Sequence, residues 1–96
     1  MKKFVLLHYG FERPTPDIMA AWGKWFETFK DNIIDNTGPF IGGREISKAG
    51  TRELPPGRDS ITGFTIVRAG SLDEAEKIAQ SNPYISGISI YEVMSR

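Results

Sequence analysis

Apolar residues in this chain recur with two different periods, and the switches between them mark out its elements. Phe4 to Tyr9 is a short run of Phe, Val, Leu and Tyr closed by Gly10, the pattern of a strand. One face of that strand carries Phe4, Leu6 and His8, the other Val5, Leu7 and Tyr9. Both faces are mainly apolar, so the strand is expected to be covered on both sides. A helix start follows at Pro14-Thr15-Pro16-Asp17. Thr15 can cap, Pro16 suits the first helical position because its missing N–H would be unpaired there, and Asp17 favours the positive helix end. Ile18 is followed by Trp22, Trp25, Phe26, Phe29 and Ile33 at offsets of 4, 7, 8, 11 and 15, one face of a 3.6-residue period. Lys24, Glu27, Thr28 and Asp31 fall opposite. Gly23 costs ~1 kcal/mol relative to alanine in a helix and reads as a concession to close packing beside Trp22.

Asn36-Thr37-Gly38-Pro39 is expected to end this helix and open a second strand over Phe40 to Ile46, weakened by Gly42 and Gly43. A polar loop from Ser47 to Asp59 contains Pro55-Pro56-Gly57 and is long enough to be a lid or binding segment. Ser60 to Val67 reads as the third strand. Ser71-Leu72-Asp73-Glu74 resembles a capping box opening a helix that runs to Gln80, and Asn82-Pro83-Tyr84 breaks it. Ile88 to Met94 is the last strand. The order βαββαβ predicts an α+β, ferredoxin-like domain: a four-stranded antiparallel sheet, order 4-1-3-2, with both helices on one face. Yet Ile61, Phe64, Ile66, Val67, Ile90 and Val93 give strands three and four apolar residues on both sides, as in strand one. So large an exposed patch is unusual for a monomer. A second copy packed sheet to sheet resolves it, so the expected assembly is a homodimer in the form of a dimeric α/β barrel.

Composition narrows the partners. Residues 1–96 make one domain with no room for a second core. A chain of this size buries only ~60–65% of the surface its unfolded form exposes, and without cysteine no disulfide adds to that margin. Twelve basic and twelve acidic side chains cancel, which argues against a sequence-independent grip on nucleic acid. The run Met1 to Leu7 imitates a signal peptide, but its apolar stretch stops at His8, short of an h-region. No stretch approaches membrane-spanning length. The expected address is the cytoplasm, with no membrane partner.

The topology brings one set of chemical groups together. The end of strand one lies beside the starts of strands three and four, so His8 and Tyr9 should meet Asp59, Ser60 and the Asn82-Pro83-Tyr84 turn beneath the long loop. Such a convergence of polar and aromatic groups is the default pocket. His8 is the one histidine and the group whose reference pKa lies nearest neutrality. It can be read as a general base with Asp59 orienting its ring, or as a hydrogen-bonded structural residue at a strand end. Tyr9, Trp22, Ser60, Asn82 and Tyr84 are the expected ligand-lining residues. Trp22 and Trp25 fit core packing, with one ring free to wall the pocket. Arg44 and Glu45 fit either an anion anchor or a solvated pair.

Sharper motifs are absent. The glycines of Gly38 to Gly43 are not followed by Gly-Lys-Ser/Thr, and no Gly-x-Ser-x-Gly elbow occurs. One histidine without cysteine makes no conventional zinc site, and no metal or cofactor is expected. Thr62-Gly63-Phe64-Thr65-Ile66-Val67-Arg68 lacks the later stacking aromatics of an RNA-recognition strand.

Lys3 to Gly10, the helix segment Met19-Ala20-Ala21-Trp22, the helix start Leu72-Asp73-Glu74-Ala75 and the turn Asn82-Pro83-Tyr84 together resemble YCII-related proteins, over nearly the whole chain. The resemblance implies a dimeric α/β barrel. It also implies a His–Asp pair, with the aspartate in an Asp-Pro-Tyr turn and the histidine near the start of helix one. Here Asn82 stands in the turn, and Ile18 to Trp22 contains no histidine. Thr37-Gly38-Pro39-Phe40 is similar to the signature of the DGPF subgroup without its aspartate. The expectation is therefore a small-molecule-binding dimer with its pocket between sheet and helices. The alternative is an enzyme on a small metabolite using His8 as base. A purely structural interaction domain is the third class.

Overall fold

The computed structural model describes residues 1–94. In chain order the elements are β1 (Lys2–Tyr9), α1 (Pro16–Thr28), β2 (Ile33–Thr37), β3 (Gly43–Ser47), β4 (Gly50–Leu54), β5 (Ile61–Ala69), α2 (Leu72–Gln80) and β6 (Gly87–Val93). Four strands form one antiparallel sheet in the order β2-β5-β1-β6, and β3 and β4 pair only with each other. The main sheet has the expected 4-1-3-2 arrangement, with α1 and α2 on one face.

Strand alternation decides what each face carries. On β1, Phe4, Leu6 and His8 are buried toward the helices, while Val5, Leu7 and Tyr9 on the other face are half-buried. β5 repeats this, with Thr65, Val67 and Ala69 buried and Phe64 and Ile66 half-buried. Phe4 stands opposite Val67, and Leu6 opposite Thr65. The core is completed by Trp25 from α1 and by Ala75, Ile78 and Ala79 from α2. Trp22, Phe26 and Phe29 pack against it from the helix stripe, each within 5.4–6.0 Å of a neighbouring ring of that stripe. The Trp25 indole N–H donates to the Ile78 carbonyl at 2.9 Å, so the two helices are joined by a hydrogen bond inside the core.

Both predicted helix starts form. Thr15 Oγ1 accepts from the Ile18 N–H at 3.2 Å with Pro16 behind it, and Ser71 Oγ accepts from Glu74 N–H at 3.2 Å. The Glu74 carboxylate returns to the Gly70 N–H, 3.0 Å away, one residue before the cap.

The structure corrects three expectations. α1 stops at Thr28 and Ile33 begins β2, because the chain turns through Phe29–Asn32 and the β-branched Ile33 and Ile34 join the sheet beside β5 instead of extending the helix. Hence the second strand of the sheet is Ile33–Thr37, and Phe40–Ile46 is not in the sheet. The expected loop Ser47–Asp59 supplies β4, which returns along β3 across a tight turn at Lys48-Ala49, with Gly50 at a positive φ of 125°. Finally, Gly23 has nothing close to the position of a side chain, so it serves no close packing at Trp22.

The hairpin stands apart. Every residue of β3 and β4 is exposed. Two cross-strand ion pairs brace it, Arg44–Glu53 and Arg52–Glu45, each at 2.8 Å. Arg44 and Glu45 are therefore a solvated pattern of neighbours rather than an open anion anchor.

Candidate functional site at the end of the sheet

One end of the sheet gathers the connections. Gly10 N–H donates to the Ser60 carbonyl at 2.9 Å, Phe11 N–H to the Gly57 carbonyl at 2.9 Å, and Ser86 N–H to the Tyr9 carbonyl at 3.1 Å. Gly10 takes φ +102° there, and a Cβ on it would lie 2.5 Å from Ser86 Oγ. This backbone crossing is why glycine closes β1. Above it lies an open groove of about 610 Å³ lined by Phe11, Glu12, Arg58, Asp59, Ile85 and Ser86. Two carboxylates and a guanidinium share its walls.

On the helix side of the same end of the sheet sits His8, 7% exposed and not among the residues lining the groove. Its Nε2 lies 2.8 Å from Thr65 Oγ1, the diagonal neighbour on β5. Thr65 in turn donates its hydroxyl to Asn36 Oδ1 at 2.6 Å. With that proton committed to Asn36, the Thr65 oxygen accepts from an Nε2–H, which fixes the imidazole tautomer. Nδ1 is then a bare acceptor, and it is buried with no partner among the described residues. Burial pulls the His8 pKa from 6.5 down to about 4. The ring is neutral at physiological pH, and Trp22 closes one side of it edge to face at 5.2 Å. Opposite His8 on β5 stands Gly63, which puts no side chain beside the ring.

Asn82 is the second unusual group. It follows α2, its N–H donates to the Ala79 carbonyl at 3.0 Å, and it is 4% exposed. Both its carboxamide atoms are buried without a hydrogen-bond partner among the described residues. An amide left so costs free energy unless something pairs with it. Asn82 lies in the connection from α2 to β6, and β6 begins opposite Tyr9, so this connection reaches the same end of the sheet as His8.

The sequence-predicted residues thus divide. His8 and Trp22 touch, and Asn82 is buried in the connection that leads to the same end of the sheet. Asp59 lies in the groove; the ring's partner is Thr65, so Asp59 does not orient it. Ser60 closes the turn at Gly57, donating its hydroxyl to the Gly57 carbonyl at 2.8 Å. Tyr9 belongs to the opposite face of the sheet, as the residue after His8 must. Tyr84 is half exposed beside the groove-lining Ile85. Sequence patterning does not single out Thr65 or Asn36. Thr65 could be found as a polar residue between Phe64 and Ile66, but Asn36 needs the true register of β2. Among the described residues no cluster of three His, Asp or Glu could hold a metal ion, and no helix is long and apolar enough to cross a membrane.

No protein-family model matches the chain, and no curated protein matches it. Among solved structures it is similar to 5-chloro-2-hydroxyhydroquinone dehydrochlorinase (TftG) from Burkholderia phenoliruptrix AC1100, in complex with 2,5-dihydroxybenzoquinone. The match has a TM-score of 0.60 at 20% identity and covers 96% of this chain and 93% of that one. That likeness establishes the fold, the one found in dimeric α/β barrel proteins.

Proposed function

We propose that this chain is a small-molecule-binding protein of the YCII-related kind that works as a cytoplasmic homodimer, taking its ligand between sheet and helices at the His8 end. The observation that carries the reading is the set of buried polar atoms without partners: His8 Nδ1 and both ends of the Asn82 carboxamide. Together they offer two acceptors and one donor group, beside the edge of an indole. A planar ring bearing hydroxyl and carbonyl oxygens matches that set, its hydroxyl donating to Nδ1 and its carbonyl accepting from Asn82 Nδ2. The dehydrochlorinase with the same fold was solved with such a molecule, 2,5-dihydroxybenzoquinone, which makes it the natural first probe.

Binding is favoured over acid–base catalysis by the state of His8. A base whose conjugate acid has a pKa of about 4 takes a proton weakly at neutral pH. Among the described residues no carboxylate is bonded to the ring to stabilise an imidazolium. His8 as general base is the second reading, favoured by the single fact that Nδ1 is free.

The test is titration of the intact protein with 2,5-dihydroxybenzoquinone, followed by the combined fluorescence of Trp22 and Trp25, alongside native mass spectrometry of the freshly purified chain. Wild type is expected to bind, and Asn82→Leu to lose at least ~10-fold in affinity, the weight of one good hydrogen bond. Without ligand, Asn82→Leu should be the more stable protein by ~1 kcal/mol, because it removes two unpaired polar atoms. A variant that binds as well as wild type, or is less stable without ligand, would sink the assignment.

A further inference from the structure

The site accounts for one end of the sheet but not for the hairpin, nor for the face of the sheet that no helix covers. The described chain exposes 7123 Å², whereas a compact monomer of 10.7 kDa exposes only ~5,500 Å². Its radius of gyration is 14.3 Å against ~12.5 Å for a compact chain of this length. The excess of roughly 1,600 Å² exceeds the ~800 Å² that each partner buries in a standard interface. Two regions hold much of it. One is the uncovered sheet face, with Val5, Leu7, Phe64, Ile66 and Tyr91; the other is the β3–β4 hairpin.

These regions are continuous. Phe40, three residues before β3, donates its N–H to the Thr62 carbonyl at 2.7 Å and sets its ring 6.4 Å from that of Phe64. Phe64 belongs to the uncovered face, so the root of the hairpin borders that face at the edge of the sheet where β2 ends. The molecule is a slab of 40 × 39 × 18 Å. Its 18 Å depth is about what one sheet and one helix layer need, so the hairpin widens the slab rather than thickening it. Ile41 at its root and Ile46 on β3 are each 82% exposed, and Leu54 on β4 is 36% exposed. A lone two-stranded ribbon is at best marginally stable in water, and two exposed ion pairs add little.

We propose that the hairpin is a dimerisation arm: with the uncovered sheet face it packs on a second copy of this chain, burying Ile41 and Ile46. A second copy fits better than another partner because the ribbon's charges cancel internally and the cations of the open face, Lys3 and Arg68, stand together at one end of β1 and β5, clear of Val5, Leu7, Phe64 and Ile66. Arg44, Arg52, Glu45 and Glu53 cancel within the ribbon, and a two-fold contact needs only self-complementary apolar surface. This inference rests on the dimer reading above and adds the hairpin to it.

The test is sedimentation equilibrium on three proteins: the full chain, Ile41→Ser/Ile46→Ser, and a chain in which residues 43–54 are replaced by Gly-Ser-Gly. Because the ribbon packs on no other element to any extent, both variants should keep the core and its circular dichroism. The wild-type dimer should weaken ~10- to 100-fold in dissociation constant for each isoleucine lost, and further when the ribbon is removed. Hydrogen exchange over 43–54 should slow in the dimer and speed up on dilution, which reads the arm without any substitution. A wild-type dimer whose affinity and ribbon exchange ignore these changes overturns the arm and leaves the dimer standing. A wild-type monomer at ~100 μM, far above the dissociation constants of specific interfaces, overturns both.

Discussion

The two faces of the main sheet are made from the same strands, yet they have different fates. On the helix side Phe4, Leu6 and Val67 are fully buried under aromatic residues of α1 and small residues of α2. On the other side Val5, Leu7, Phe64 and Ile66 are half-buried and Tyr91 is 60% exposed, with no helix above them. Adjacent residues of β1 are chemically almost alike; what differs is whether this chain supplies a cover. The helix side holds the molecule together, while the open side holds apolar surface that no helix of the described chain covers.

A pair of identical substitutions on neighbouring residues puts this contrast to its hardest test. Leu6→Ala should cost ~2–5 kcal/mol, as a cavity beneath the helices, at any protein concentration. Leu7→Ala should cost well under half of that in a dilute chain and gain weight as concentration rises. Urea titrations at two concentrations separate the cases, and equal, concentration-independent losses would show the faces to be equivalent.

Next in size is the effect of pH, because the helix side also buries His8. Its folded pKa of about 4 lies below the 6.5 of the unfolded chain, so below pH 6.5 the unfolded state takes up the proton first. The stability is complete above pH 6.5, declines between 6.5 and about 4, and levels off below. The loss is on the order of 3 kcal/mol. Thr65 and Trp22, the side chains against the ring, carry no charge that would offset it. Denaturation at pH 7.5 and 4.5 should show this decline in wild type and a smaller one in His8→Gln.

Trp25→Phe probes the same face at a single hydrogen bond. It keeps most of the apolar body but removes the indole donor to the Ile78 carbonyl, and should cost ~1–2 kcal/mol in thermal or urea unfolding. Smallest in stability, yet most informative about the site, is Thr65. Thr65→Ser keeps the hydroxyl and should hold the imidazole in its Nε2–H form, whereas Thr65→Val should mix the tautomers. Nitrogen chemical shifts of His8 read this directly, and an unchanged Thr65→Val spectrum would remove Thr65 as the positioning residue.

Local chemistry makes much of the molecule legible in the order of its residues. Thr15-Pro16 and Ser71 open helices because capping is a short-range hydrogen-bond problem solved within four residues. The β1 alternation and the Trp22–Phe29 stripe are likewise local. Three things are not legible there. Ile33 fits both the helical stripe and a strand, and only its pairing with Val67 decides between them. Gly43–Leu54 folds back on itself because a ribbon closed by Gly50 needs no place in the sheet, which no pattern of hydrophobicity announces. The partner of His8 depends on register: the strand order brings Asp59 to the His8 end of the sheet, but a hydroxyl diagonally across on β5 reaches the ring. Period, capping and the handedness of connections are thus enough to specify both helix starts, the strand order of the main sheet and the presence of an unclaimed apolar face. It takes the packed chain to leave His8 buried, neutral and half-satisfied, and Asn82 unpaired at the same end of the sheet. Those properties belong to distances between segments brought together from opposite ends of the chain.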